Sequence, residues 1–375
     1  MQWALAMLNS SRITASCQAS ANVADLSFRQ RYLNTDAATG KITTAHANPD
    51  DGVWPSCVFD GTAWACDCPT VAAPVLAPPV GTGPFPAFRV RFVQLGYLPP
   101  PAVVLAPTQP AVVRIEVNGC NQIDNLCLNF RPAEENICNG TVCAWLSLSS
   151  GLKTPPLATI TARGNVDVGG AALAAYNAMP DSSGITIQAG GVVNRTSLVL
   201  HGPPGTPTGR TVVDSDPGLS DAAFGPTRMF ASIFGVWRNT YWQQPGAVTV
   251  VCMPDCSAAT VRATAALNPG RVILVQGNLV LEGGGDIGSV AEPALLVVSG
   301  NVSFTAPTNV FGFMYSEATN WASAGTGQIQ GAIVAEGNLG GTGSPTVVYG
   351  KQILENLRWR TGSFVRVPGS WRDFP

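Results

Sequence analysis

One short pattern recurs in the chain: an apolar β run, then Gly-Asn, then a second β run. It reads TITARGNVDV around Gly164, RVILVQGNLVLEG around Gly277, ALLVVSGNVSF around Gly300 and GAIVAEGNLGG around Gly337. A β-turn-β unit of this size cannot bury its apolar side alone, so its recurrence points to a chain that coils and stacks on itself. Gly277 and Gly300 stand 23 residues apart, close to one turn of a parallel β-solenoid. Gly300 and Gly337 stand 37 apart, with the further strand VFGFMYS at 310–316 between them. The glycines are expected to take the left-handed backbone conformation at the turns.

Such a stack is held by nearest neighbours and needs few ion pairs. Only 12% of the 375 residues are charged, about half the roughly 25% of ordinary domains. The net charge is -2, with no block of one sign, so a nucleic-acid surface, which requires a basic footprint, is disfavoured.

The fold class expected is mainly β: a C-terminal parallel β-solenoid, β-helix-like, with an inserted amphipathic helix, preceded by a Cys-stapled α+β region. Residues 1–69 read as a helix end followed by stapled loops, with a second short amphipathic stretch around Ala24 to Leu33 and a turn at 38–40. Residues 70–87 carry Pro every few positions and read as an extended linker. Residues 88–154 form a small β-rich unit in which FRVRFVQL and PAVVRIEVNGC pair antiparallel and WLSLSS adds a strand. The solenoid takes 155–375. Its helical insertion, about 217–244, sets Met229, Phe230, Ile233, Phe234, Trp237 and Tyr241 at helical spacing, a stripe expected to pack on the stack. The C-terminal KQILENLRWR helix, the FVRV strand, Trp371 and Phe374 are expected to cap the open end.

The ten cysteines are Cys17, Cys57, Cys66, Cys68, Cys120, Cys127, Cys138, Cys143, Cys252 and Cys256. They cluster in Gly-, Pro- and Asn-rich segments without histidine beside them, a pattern that favours disulfides over zinc and an oxidising compartment over the cytosol. Cys252 and Cys256 are expected to pair across Pro254 and Asp255. The four from Cys120 to Cys143 should pair among themselves, as should the first four, connectivity open. Met1 opens a segment with no basic leader and no long apolar run, so export would need a segment upstream, and MQWALAMLNS reads as the last turns of a helix begun earlier.

Catalytic signals are sparse. The two histidines, His46 and His201, leave little room for imidazole chemistry. Gly283–Gly288 fits G-x-G-x-x-G, yet Pro293 and another strand follow where a dinucleotide site needs a helix, so a glycine-rich turn is the better reading. Glu282, Asp286, Glu292, Glu317 and Glu336 are scattered over strand ends rather than paired. Asp167 and Asp181 lie in no calcium-loop spacing. No catalytic, cofactor or metal residue is assigned.

The closing TGSFVRVPGSWRDF, with ILENLRWR before it, the Gly-Asn blocks, and MQWALAMLNS, CVFDGTAWACDCP, FRVRFV and VRIEVNGC upstream resemble the PilX-type pilus assembly proteins of Gram-negative bacteria. That resemblance implies a minor pilin-like subunit of a type IV pilus, anchored in the inner membrane by a long N-terminal helix and later part of an extracellular fibre. Its anchor helix is lacking from this sequence, and membrane contact would come through that helix alone. Partners would be other pilins, minor pilins or a tip adhesin. Candidate contacts are Trp3, Leu5 and Leu8 toward pilins and Tyr241, Trp242 and Trp321 toward a tip partner. Two other classes compete: a secreted β-helix carbohydrate-active enzyme and a surface adhesin that binds glycans through exposed aromatics.

Overall fold

Apolar runs without alternation, such as RVILV, ALLVV and GAIVA, cannot sit in a sheet with one wet face; both faces must be covered. The computed structural model, which describes residues 1–72, 79–98, 109–121, 129–134, 138–322 and 327–372, places these runs in one large sheet of 15 strands. The chain divides into two units, Met1–Ser149 with Ser363–Pro375, and Ser150–Gly362.

In the second unit the strands pair in parallel and form three ladders. The first runs through Val248, Ile273, Leu296, Met314, Ile333, Ile160, Ile187 and Val212. The second runs through Cys256, Leu279, Val302, Thr319, Leu339, Val166 and Val193. The third joins Ile287, Val310, Ile329, Val347, Ala175 and Leu200. Side chains of all three, among them Ile333, Leu339 and Val347, share one buried cluster, so the sheet curls about a single core.

The other side of the first ladder is covered too. Val272, Leu295, Phe313 and Val334 meet Phe230, Phe234 and Tyr241 of the inserted helical segment and Ile353 and Leu357 of the helix Lys351–Arg360. This double cover is why the runs read as continuous rather than alternating. The insertion forms three helices, Pro217–Ser220, Gly225–Phe234 and Arg238–Tyr241. Its apolar stripe packs as its spacing requires, except for Trp237, which is 56% exposed.

The Gly-Asn corners stack on one another, for a reason other than left-handed backbone. Of the four, only Gly277 has a positive φ, +120°. At Gly300 a Cβ would stand 2.5 Å from Asn278 Oδ1 and 2.8 Å from Gly277 O. At Gly164 it would strike Asn338 and lie 2.9 Å from Gly337 O. The asparagine carbonyl in turn accepts the amide of the next corner: Asn301 N–H donates to Asn278 Oδ1 (3.0 Å), Asn165 N–H to Asn338 Oδ1 (2.8 Å) and Val192 N–H to Asn165 Oδ1 (2.8 Å). Close approach excludes the side chain at the glycine, and the asparagine satisfies a corner amide that has no ladder partner.

The first unit holds a six-stranded sheet in the order Trp64–Asp67, Ser56–Phe59, Ala87–Gln94, Val112–Cys120, Val142–Ser150, Gly362–Arg366. Strands from 56–67 and from 87–150 thus share one sheet, and Leu33–Thr35 pairs with Ile42–Thr44 in a small sheet of its own. Gly362–Arg366 closes its edge instead of capping the parallel stack, because Phe364 belongs to the core of this sheet. The helices Gln2–Leu8 and Phe28–Tyr32 cover one face through Ala4, Leu8, Phe28 and Tyr32 against Val90, Phe92 and Ile115. The second helix is shorter than the stretch from Ala24 to Leu33, since Ser27 and Gln30 form a capping box at its start and Leu33 begins a strand.

Disulfides join Cys17 to Cys68, Cys57 to Cys66, Cys138 to Cys143 and Cys252 to Cys256. Cys120 is also disulfide-bonded. Cys127, Phe374 and residues 73–78 of the Pro-rich segment lie outside the described residues.

Gly300→Ala is expected to lower stability by about 1–3 kcal/mol through overpacking at a corner. Gly209→Ala, where a Cβ meets nothing within 4 Å, should stay within about 0.5 kcal/mol of the parent. Denaturant melts of the two variants check the difference.

Candidate functional site

In the first unit, strands Ala87–Gln94 and Val112–Cys120 alternate apolar and charged residues. Their apolar positions face the helices. Their charged positions, which in a one-faced sheet would be wet, are buried: Arg91, Arg114 and Glu116 are all at most 4% exposed. Arg91 and Glu116 are direct cross-strand neighbours. Arg91 donates from Nε (2.8 Å) and Nη2 (2.6 Å) to Glu116 Oε2, while Arg114 Nη2 stands 2.8 Å from Glu116 Oε1. Arg91 Nη1 reaches Asp50 Oδ1 at 2.5 Å, and the Ala133 amide donates to both Asp50 oxygens.

Aromatic rings close over the charges. The Arg91 guanidinium lies 4.5 Å from the Phe130 ring centroid, and that of Arg89 5.4 Å from Trp54. Burial lowers the affinity of Arg89 for its proton, and burial followed by the Asp50 charge raises the Tyr97 hydroxyl above its usual range. A shallow cleft beside the cluster is lined by Tyr32, His46, Asn48, Trp54, Arg91 and Phe92. Both Glu116 oxygens face guanidinium groups and the residue is fully buried, so its chemistry is that of a clamp. Through Asp50 it ties the segments around 50 and 133 to the sheet.

The second unit has its own buried acid. Glu336 pairs through Oε1 with Arg238 and accepts from the Tyr315 hydroxyl at 2.7 Å, while Arg238 stacks over Phe230 at 5.0 Å. Burial holds the Tyr315 hydroxyl well above the usual tyrosine range, opposed by the Arg238 charge. The other four acids of the repeat region do not converge on it. Glu282 accepts the Ala258 amide where the helix Ala258–Leu267 begins, Asp286 accepts from Asn309, and Glu292 and Glu317 stand in separate turns. Among the described residues no group of three or more His, Cys, Asp or Glu side chains is placed to hold a metal ion.

Gly283–Gly288 is a turn leading from Val272–Leu281 to Ala294–Val298. No helix follows it, and the Arg262 guanidinium binds the carbonyls of Gly283 (2.7 Å) and Gly285 (3.1 Å). Asp167 accepts from the Gly169 amide and Asn194, which holds its carboxyl below the usual range, and Asp181 pairs with Lys351 at 2.6 Å.

The aromatic candidates separate by burial. Leu8, Tyr241 and Trp321 are core residues: Tyr241 donates to Gly151 O at 2.6 Å, and Trp321 stacks on Phe304 at 4.7 Å. Helical and ladder spacing turns these three inward, so they present no surface to a partner. Trp3, Leu5 and Trp242 are half-buried. Trp3 belongs to an aromatic chain that sequence spacing did not reveal, Phe59–Trp64–Phe88–Trp3–Phe28, with successive centroids 5.2–5.6 Å apart and Trp64 half exposed. Alternation of arginine with apolar residues in FRVRF and VRIEV was the available signal for the charge cluster. It reads equally as a wet strand face, which is why the sequence alone does not single it out.

No family model matches the chain, and neither a curated protein nor a solved structure matches it.

Glu116→Ala leaves two arginines buried without their carboxylate and should destabilise the first unit by about 3–5 kcal/mol. Denaturant unfolding followed by tryptophan fluorescence measures it. A loss under about 1 kcal/mol would mean that the cluster is hydrated rather than buried.

Proposed function

We propose that this chain is a structural subunit of an extracytoplasmic assembly of the type IV pilus kind, a minor pilin-like protein that works through protein interfaces, and that its curled parallel sheet is a three-sided β-solenoid. The observation that carries the reading is the N-terminal helix Gln2–Leu8. One side of it, Ala4 and Leu8, is fixed to a stapled antiparallel sheet, with Trp3 edge-on to Phe88 at 5.3 Å. Gln2 and Ala6 on its other side are exposed. A helix held this way can continue a longer helix into an assembly while the sheet stays folded.

The disulfides favour an oxidising compartment. Among the described residues no helix is long and apolar enough to cross a membrane, so anchoring in this reading falls to a preceding segment. Trp3 and Leu5, with Trp64 packed on the same Phe88 ring as Trp3, are the contacts proposed toward neighbouring pilins, and Trp242 toward a tip partner. A carbohydrate-active role would draw on two carboxylates about 5–10 Å apart in one groove; the separate partners of the repeat-region acids favour the structural role instead.

Clean deletion of the full gene in its source bacterium should abolish or sharply reduce surface pili, counted by electron microscopy, and plasmid complementation should restore them. Unchanged piliation would overturn the proposal.

A further inference from the structure

Within the parallel sheet, neighbouring strands belong to successive stretches of chain except at one seam. There Ile333–Ala335 pairs with Ile160–Ala162, Leu339–Gly340 with Val166–Asp167, and Thr346–Val348 with Ala174–Tyr176. The seam carries the same corner as the rest: Gly164 N–H donates to Gly337 O at 2.8 Å, and Asn165 N–H to Asn338 Oδ1 at 2.8 Å. Two runs of strands, 158–216 and 247–349, thus meet face to face in an order that the chain itself does not impose.

The chain joins the 158–216 run to the remainder of its unit at two places, and Asp181 pairs across with Lys351. On one side are Pro155, Pro156 and Leu157, none of them buried. On the other are residues 217–224, again with none buried, though Leu219 and Phe224 pack against the cluster of Phe230 and Phe313. Its last residues belong to it: Asp216 accepts from Gln188 Nε2 (2.7 Å), and its amide donates to Ala189 O (2.9 Å). From Gly225 onward the helices pack on the other run, through Phe230 and Phe234 against Phe313 and Tyr315. Every seam contact named above would form unchanged if the two runs came from different chains.

We propose that residues 158–216 form an exchangeable module, and that the partner fitting its seam face is a second copy of this chain, which supplies its own 332–349 coil in trans. Exchange makes no contact that the single chain lacks, so association is governed by concentration and by hinge freedom, the condition under which domain swapping is a low-cost route to dimers. The strand that receives the module is itself held to the returning helices by the buried Arg238–Glu336–Tyr315 group, so the receiving edge stays formed when the module leaves it.

The test uses two full-length chains with different tags, one Ala174→Cys and one Thr346→Cys. These positions are paired across the seam, and both are half-buried. The chains are co-expressed in an oxidising compartment and, separately, unfolded together without reductant and refolded at low and high concentration. A short thiol crosslinker is then added. A mixed-tag dimer whose share rises with concentration is expected, and the double variant Ala174→Cys/Thr346→Cys should crosslink within its own chain at low concentration. Intrachain crosslinking in the double variant with no mixed dimer in either preparation would overturn the exchange. Failure of the double variant to crosslink, with circular dichroism like the parent's, would overturn the seam itself.

Discussion

Strands paired about 4.8 Å apart leave no room for a Cβ where the corner after one strand lies flat on the corner after its neighbour. The second unit is organised by this exclusion. Gly164 and Gly300 sit where a side chain would collide with the preceding asparagine or glycine, and the asparagines use the same proximity to accept the amide below. With the corners fixed, the parallel strands deliver their apolar residues to the same core in register, and the curled sheet needs little charge. The chain's low charge content is thus a consequence of how neighbours are held, with ion pairs kept to a few places such as Glu336.

The repeat was legible because it is enforced by sterics, but its order was not. Periodicity identifies a β-corner-β repeat; it does not say which repeat lies beside it. Between Gly300 and Gly337 a further corner, Glu317–Ala318, stacks in line with both and carries no Gly-Asn signature. VFGFMYS is the strand its apolar run implies, Val310–Ser316, and it pairs along its whole length with Ile329–Ala335, while on its other side Gly312–Tyr315 meets Ala294–Val297. The stacking of Gly164 on Gly337 joins positions far apart in sequence, which no local pattern encodes.

In the first unit, alternation located the strands, while the fate of their charged face depended on distant segments around Asp50 and Phe130 folding over it. A polar stripe on a strand signals a wet face until something covers it, and the cover is a tertiary fact. The same holds for the aromatic candidates. Spacing placed Tyr241 on a helix, and only packing against Phe230 and Phe234 decided that it points inward. The C-terminal strand shows the limit from the other side, since an alternating FVRV fits any open edge and the edge it occupies is that of the antiparallel sheet.

In the curled sheet, sequence-distant corners are stacked as tightly as adjacent ones. Native-state hydrogen exchange at the amides of Gly164 and Asn165, whose acceptors are Gly337 O and Asn338 Oδ1, measures this directly against Asn301, whose acceptor is Asn278 Oδ1. Protection at Gly164 and Asn165 comparable to that at Asn301 is the result expected. Exchange of Gly164 and Asn165 at the rate of an open surface loop, with Asn301 protected, would contradict it.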